Sequence, residues 1–253
     1  MKAMILAAGL GTRLRPLTND RPKALITVGG RTLLEITLGR LREFGVREVI
    51  LNVHHFADMI VAYLKANGNF SMRIEVSREE VLLDTGGGLK KAAWFFLEGK
   101  SPDDSSLAPF ILHNVDIIST VDIGRLAEAH RAGNALSTFA VQDRETMRYL
   151  LFDDQGVLCG RRKGRDGPLE LVRPVASPHA LAFSCIHVVS PRIFGKMTEE
   201  GAFSIIDTYL RLAAQGEKIA SFRADGAYWR DLGRPENVIE AERDLASGLY
   251  PQS

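Results

Sequence analysis

Apolar stretches of strand length alternate with helix-period patterns through the first half of the chain, and this alternation constrains the fold more than any other feature. It is the signature of βαβ units laid on a parallel sheet. Residues 3–7 read as a buried first strand. Leu33, Leu34, Ile36, Leu38, Leu41 and Phe44 then recur at helical spacing until Gly45 stops them. Residues 49–53 supply a second strand, 57–66 a helix with Ile60, Val61 and Leu64 on one face, and 73–76 a third strand. A further helix is expected over 89–96, with Trp94, Phe95 and Phe96 as its packing residues. The unbroken apolar run Phe110-Ile111-Leu112 predicts a strand covered on both faces, in the middle of the sheet.

The second half changes character. Residues 136–141 and 148–152 read as strands, with Asp153-Asp154-Gln155-Gly156 as a hairpin turn. The charged, glycine-rich segment 160–167 reads as a mobile loop, 180–189 as a strand and 205–214 as a helix. A closing helix over 235–246 has Pro235 near its first turn. The expected class is α/β: a mixed, mostly parallel, Rossmann-like sheet flanked by helices.

Composition bounds the function classes. The 253 residues are 45% hydrophobic and 25% charged, which suits a globular protein with a sizeable core and argues against disorder. A formal net charge of +1 leaves no overall basic footprint for a nucleic acid, so any anion site must be local. Cys159 and Cys185 are too few for a disulfide framework and lack zinc-site spacing, so they read as reduced thiols in a cytoplasmic protein. The short apolar run before Gly9 is below the length of a signal core or a membrane span, and no membrane partner is expected.

Directly after the first strand comes Ala7-Ala8-Gly9-Leu10-Gly11-Thr12-Arg13-Leu14-Arg15-Pro16-Leu17-Thr18, then Arg21-Pro22-Lys23. Small residues at a strand's carboxyl end let backbone N–H groups approach an anion, and α/β sheets bind ligands at that edge. A dinucleotide fingerprint needs glycine where Leu14 stands, and a Walker loop needs Gly-Lys-Ser/Thr, so neither fits. A solvated basic loop is the plain alternative. Farther on, Asn114 and Asp116 lie two apart at a strand end and share one face, while Val115 packs behind. A helix-cap or turn role is the alternative for Asp116. The glycines of Thr85-Gly86-Gly87-Gly88 permit close contact with a flat base, or simply begin a helix. His54 and His55, being adjacent, point to opposite faces and make a poor chelating pair.

The string from Leu6 to Lys23 resembles the signature of the sugar-phosphate nucleotidylyltransferases, whose fold is the nucleotide-diphospho-sugar transferase type with a smaller sugar-binding insertion. The resemblance implies that Ala8, Gly9, Gly11 and Thr12 wrap the nucleotide and that Arg13 lies on the β and γ phosphates. Lys23 would reach the α-phosphate or the sugar phosphate. Tyr228-Trp229-Arg230-Asp231-Leu232-Gly233 is similar to a Trp-x-Asp-x-Gly segment of the family, which implies that Asp116 and Asp231 together hold Mg2+. Leu83-Asp84-Thr85-Gly86-Gly87-Gly88 is most like the branch of the N-acetylmuramate-1-phosphate uridylyltransferases, with mannose-1-phosphate guanylyltransferases close behind. Thr85 and Gly86 would then contact the base, UTP is favoured, and GTP with mannose 1-phosphate is the alternative. Phe183-Ser184-Cys185-Ile186 resembles a Phe-Ser-Gly-Ile strand lining the sugar pocket, with Cys185 in place of glycine. Asn114, Ser184 and Asp207 are the expected sugar contacts, and Arg148 reads as a surface residue.

The expected reaction transfers a nucleoside monophosphate from a nucleoside triphosphate to a sugar 1-phosphate, releasing pyrophosphate. A catalytically silent, nucleotide-sugar-binding regulatory relative would have lost Arg13, Lys23, Asp116 or Asp231, and all four are present. A nicotinamide-dependent oxidoreductase would need the glycine that Leu14 displaces. One domain is expected over 1–253, with a nucleotide-binding core at about 1–135, a sugar-binding and closing region at about 136–253, and no C-terminal β-helix. An anomeric sugar kinase is the expected pathway neighbour, and the protein is expected to be a monomer or homodimer.

Overall fold

The computed structural model describes residues 1–250. In chain order the elements are β1 (Lys2–Leu6), β2 (Thr27–Val28), β3 (Arg31–Thr32), α1 (Leu33–Glu43), β4 (Glu48–Val53), α2 (Ala57–Ala66), β5 (Arg73–Arg78), α3 (Asp84–Lys91), α4 (Ala93–Leu97), β6 (Phe110–Asn114) and β7 (Ile117–Ser119). There follow α5 (Ile123–Gly133), β8 (Ser137–Gln142), β9 (Arg148–Phe152), β10 (Leu158–Lys163), β11 (Leu169–Leu171), β12 (His179–Val189), α6 (Ile205–Ala214), β13 (Ile219–Arg223), β14 (Trp229–Asp231) and α7 (Pro235–Ala246).

The main sheet runs β11-β10-β9-β12-β6-β1-β4-β5, with β8 beside β12 and β13 beside β8. Strands β6, β1, β4 and β5 are parallel, as the helical crossovers of the first half require. Strand β12 runs antiparallel to β6, β8 and β9, and the hairpin β9–β10 extends the antiparallel wing. Successive residues face opposite sides: Ile5, Val49 and Ile111 join one buried cluster, while Met4, Ile50, Phe110 and Leu112 join the other. The first is covered by α1, α2 and α7, the second by α3, α4 and α6, so β6 is covered on both faces as its apolar run predicts.

Several local expectations need correction. Helix α3 begins at Asp84 and takes in all three glycines, and a break at Ala92 separates it from α4. Phe95 and Phe96 are buried, but Trp94 is 53% exposed. Residues 160–163 belong to β10 rather than to a loop, because their backbone pairs with both β9 and β11. Helix α5 is an addition to the expected elements: Ile123, Leu126, Ala127 and His130 bury one face at helical spacing, and Asp122 caps its start, its carboxylate accepting from Arg125 N at 2.9 Å. Among the described residues no helix is long and apolar enough to cross a membrane.

Candidate active site

Strand β1 ends near the centre of the sheet, and its carboxyl edge carries the glycine turn. Ala7 N donates to the buried side-chain oxygen of Asn52 on β4 at 2.8 Å, which fixes where the turn departs. Gly11 takes a left-handed conformation, φ +65, that opens a short 3-10 turn at Thr12–Leu14. Thr18 Oγ1 closes the loop by donating to Gly11 O at 2.8 Å. A Cβ on Gly9 would lie 3.2 Å from Lys23 Nζ, so Lys23 folds back over the turn. Its ammonium donates to Asp116 Oδ2 at 2.9 Å, and each side chain is only 12% exposed.

Asp116 follows β6. Val115 is fully buried and donates its N–H to Leu6 O, so the β1–β6 pairing holds the carboxylate beside the glycine turn. Asp231 arrives from 115 residues later through a two-stranded ribbon, in which β14 pairs antiparallel with β7 and Asp231 lies opposite Ile117. Leu232 N donates to Asp116 O at 2.8 Å and locks the two segments together. Gly233 N donates to Asp231 Oδ1 at 2.7 Å. A Cβ on Gly233 would lie 2.9 Å from that oxygen and 3.0 Å from Arg13 Nη2, which puts Arg13 beside Asp231.

The electrostatics of the two acids differ. Burial alone pushes the Asp116 carboxyl up, but the Lys23 charge and hydrogen bond, a backbone bond and the Arg13 charge together hold it below the usual aspartate range. Asp231 is pushed above that range by burial and then by the Asp116 charge, against the pull of Gly233 N, Arg13 and Lys23. Asp116 Oδ1 is buried and has no partner. Two mutually repelling carboxylates, one with an orphaned oxygen, are chemically suited to receive a cation. Among the described residues no group of three or more His, Cys, Asp or Glu side chains could hold a metal, so a cation here would complete its shell with substrate oxygens or water. That donor set suits a hard divalent ion.

A family model described as nucleotidyl transferase matches residues 2–152. The chain belongs to the nucleotidyl transferase family. An N-acetylmuramate alpha-1-phosphate uridylyltransferase from Caulobacter vibrioides is 34% identical over 249 residues, covering 96% of each chain. A mannose-1-phosphate guanylyltransferase from Mycobacterium tuberculosis is 28% identical over 255 residues, and the alignment covers 98% of this chain and 66% of that protein. The crystal structure of HddC from Yersinia pseudotuberculosis complexed with GMP-PN superposes with a TM-score of 0.75 at 22% identity, covering 96% of this chain and 98% of that one. This last likeness concerns the nucleotidyl transferase fold alone.

The turn residues Ala8, Gly9, Gly11 and Thr12, the cations Arg13 and Lys23 and the acids Asp116 and Asp231 thus gather at one edge, with Asn114 at the end of β6. Other expected contacts lie elsewhere. Thr85 Oγ1 accepts from Ile205 N at 3.0 Å, and Gly86 N donates to Phe203 O at 2.9 Å. The space of a Gly86 Cβ is filled by the Phe203 ring at 2.3 Å. Thr85 and Gly86 therefore join α3 to α6. The Ser184 side chain is fully buried with Oγ unpartnered, so it does not line a pocket. Asp207 pairs with Arg161 at 2.7 Å, on the opposite face of β10 from Arg162 and Tyr149. It therefore lies across the sheet from the Tyr149 side.

Cys185 has φ +57, a left-handed position within a bulge of β12, which explains why glycine suits it better. Burial first, and then the charges of Asp116 and Asp231, push its thiol up to about 12. His54 Nδ1 pairs with Glu79 O at 2.8 Å and His55 packs on Phe56, so neither chelates the other. Burial pushes His113 and His130 down to about 4 and His187 to about 3, which leaves them neutral core residues at pH 7.

Sequence reasoning overlooked two groups. Asn52 Nδ2 donates to Glu79 Oε1 at 2.8 Å, and Glu79 Oε2 accepts from Leu83 N at 2.9 Å. Arg144 stacks on Trp229 with its guanidinium carbon 3.4 Å from the ring centroid. Asn52, the one polar residue within the apolar run 49–53, was the available signal for the first. No local signal marked the second.

Proposed function

We propose that this nucleotidyl transferase transfers a uridylyl group from UTP to a sugar 1-phosphate and releases pyrophosphate. The observation carrying the proposal is the convergence of Arg13 and Lys23, from the glycine turn, on Asp116 and Asp231, one with an orphaned oxygen and the other with a raised pKa. The relative from Caulobacter supports uridine and a sugar 1-phosphate. The mycobacterial relative favours a second reading, guanylyl transfer to mannose 1-phosphate.

An oxygen of the sugar phosphate bonds to the α-phosphorus while the bond from that phosphorus to the α,β-bridging oxygen breaks, and pyrophosphate leaves with the electron pair. Both reactants are anions, so the protein's work is alignment and charge neutralisation. Gly9 and Gly11 let the backbone approach the triphosphate, Arg13 presents a planar fork to the departing phosphates, and Lys23 supplies a mobile point charge near the α-phosphate. Asp116 and Asp231 would hold the divalent ion general to this family, here Mg2+. Bound there, the ion would neutralise the acids and draw charge from phosphate oxygens. Residues 1–135 and 136–253 act as the two sides of one catalytic unit in this reading. The free thiols Cys159 and Cys185 support a cytoplasmic setting, and the acceptor's anomeric phosphate calls for a supplying kinase.

Pyrophosphate release is to be assayed with the common nucleoside triphosphates against a panel of sugar 1-phosphates. Turnover with UTP, and its loss in folded Asp116→Asn and Asp231→Asn variants, is expected. Wild-type turnover in either variant removes the mechanism, and preference for GTP with mannose 1-phosphate selects the second reading.

A further inference from the structure

Two mutually repelling anions need separate cations, and Arg13 and Lys23 both come from the turn after β1. Arg144 comes from the other side, in the link between β8 and β9. Its guanidinium carbon sits over the Trp229 ring, 3.4 Å from the centroid, and Nη2 donates to Phe183 O at 2.9 Å. No carboxylate pairs with it among the described residues, and its Nε is buried without a partner. Burial works against its charge, while Cys185, Asp231 and Tyr149 lie near enough to support it. A half-buried guanidinium with no counter-ion is costly unless an anion arrives.

The position is specific. Trp229 and Asp231 are two apart on β14 and share a face, so Arg144 stacks on the face that carries the acid. Trp229 Nε1 donates to Ser184 O at 2.8 Å, which makes the ring a rigid platform. By contrast, Arg148 is exposed and Arg161 is already paired with Glu170 and Asp207. Resting on the transferase reading above, we propose that Arg144 receives the phosphate of the acceptor sugar 1-phosphate and directs its nucleophilic oxygen toward the paired acids.

The test compares wild type with R144Q and R144K. Loss of a charge-assisted hydrogen bond predicts an acceptor KM raised about 10- to 100-fold in R144Q. The KM for the nucleoside triphosphate should stay close to wild type, with R144K intermediate because it keeps the charge but loses the planar fork. An unchanged acceptor KM overturns the inference. So does an equal rise in both KM values, which would mark Arg144 as merely holding Trp229. Should wild type turn over no sugar 1-phosphate, the transferase reading fails separately. Calorimetric titration with inorganic phosphate then still decides on Arg144: weaker binding by R144Q supports it, and equal binding removes it.

Discussion

Lys23→Met isolates the contact that holds the apo site together. The substitution keeps most of the aliphatic length and removes the ammonium from Asp116 Oδ2, while Oδ1 already lacks a partner. Breaking a buried ion pair from one side costs about 3–5 kcal/mol because the remaining charge is stranded. The 12% exposure of both side chains admits some water and favours the lower end, about 3 kcal/mol. For a chain of this size that corresponds to a melting temperature lower by roughly 6–12 °C.

The pH dependence separates this cause from lost packing. In the wild type the Asp116 pKa lies below its ordinary value of 3.8, so the pair's stabilisation is complete above that value and is lost as pH falls through the folded pKa. Without Lys23, burial dominates and the folded carboxyl rises above 3.8. The variant then binds a proton that its unfolded chain releases, and its deficit grows as pH rises through the new folded pKa. Circular dichroism melts from pH 7.5 down to pH 4 should therefore show a gap between the proteins that narrows with acid. Magnesium chloride at pH 7.5 should close part of it by supplying the missing charge. A gap of equal size at every pH, or no gap at pH 7.5, refutes the reasoning.

Other perturbations test neighbouring parts. A Gly88→Ala Cβ would lie 2.7 Å from both Asn52 Nδ2 and Glu79 Oε1, so overpacking of about 1–3 kcal/mol should outweigh the helix gain and lower the melting temperature. Cys185→Gly relieves a left-handed position and should raise stability by about 1 kcal/mol in urea melts. With the Cys185 thiol pushed up to about 12, iodoacetamide should label wild type slowly at pH 7.5, as read by intact mass. Chelation with EDTA should abolish pyrophosphate release and excess magnesium should restore it, whereas activity that survives chelation would count against a metal between the two acids.

Legibility followed contact range. The βαβ alternation, the helices α1, α2, α6 and α7 and the buried strand β6 were readable because each bears its own periodicity or stop signal. The turn cations were readable because glycine, arginine and lysine cluster within two dozen residues of one strand, and Asp116 because it lies two residues after Asn114 at the end of another. The meeting of Asp116 with Asp231 depends on β7 and β14, each three residues long and too short for a hydrophobic pattern. Behind them, Gln142 Nε2 donates to Ala224 O and Ala227 O and steers the chain toward β14, a contact across 82 and 85 residues with no local sign. Thr85 and Gly86 were ambiguous for a different reason. A glycine run beside threonine suits either a ligand or a close-packed helix, and the contact of Gly86 with Phe203 has no local sign.

The two overlooked groups divide the site into sides that respond differently. On the side of the glycine turn, hydrogen bonds run from Ala7 N through Asn52 and Glu79 to Leu83 N, tying the turn to the segment before α3. Every polar end in that chain is satisfied, so the turn and the segment are held in one arrangement before any ligand binds. On the other side, Arg144 and Trp229 hang on the bulged part of β12, where Ser184 Oγ and Arg144 Nε are left without partners. A satisfied network resists rearrangement, whereas unpartnered buried groups gain by it. Substrate-induced adjustment should therefore concentrate around Arg144 and Cys185, and amide exchange there should slow on adding the acceptor more than exchange at Asn52 slows on adding the nucleotide.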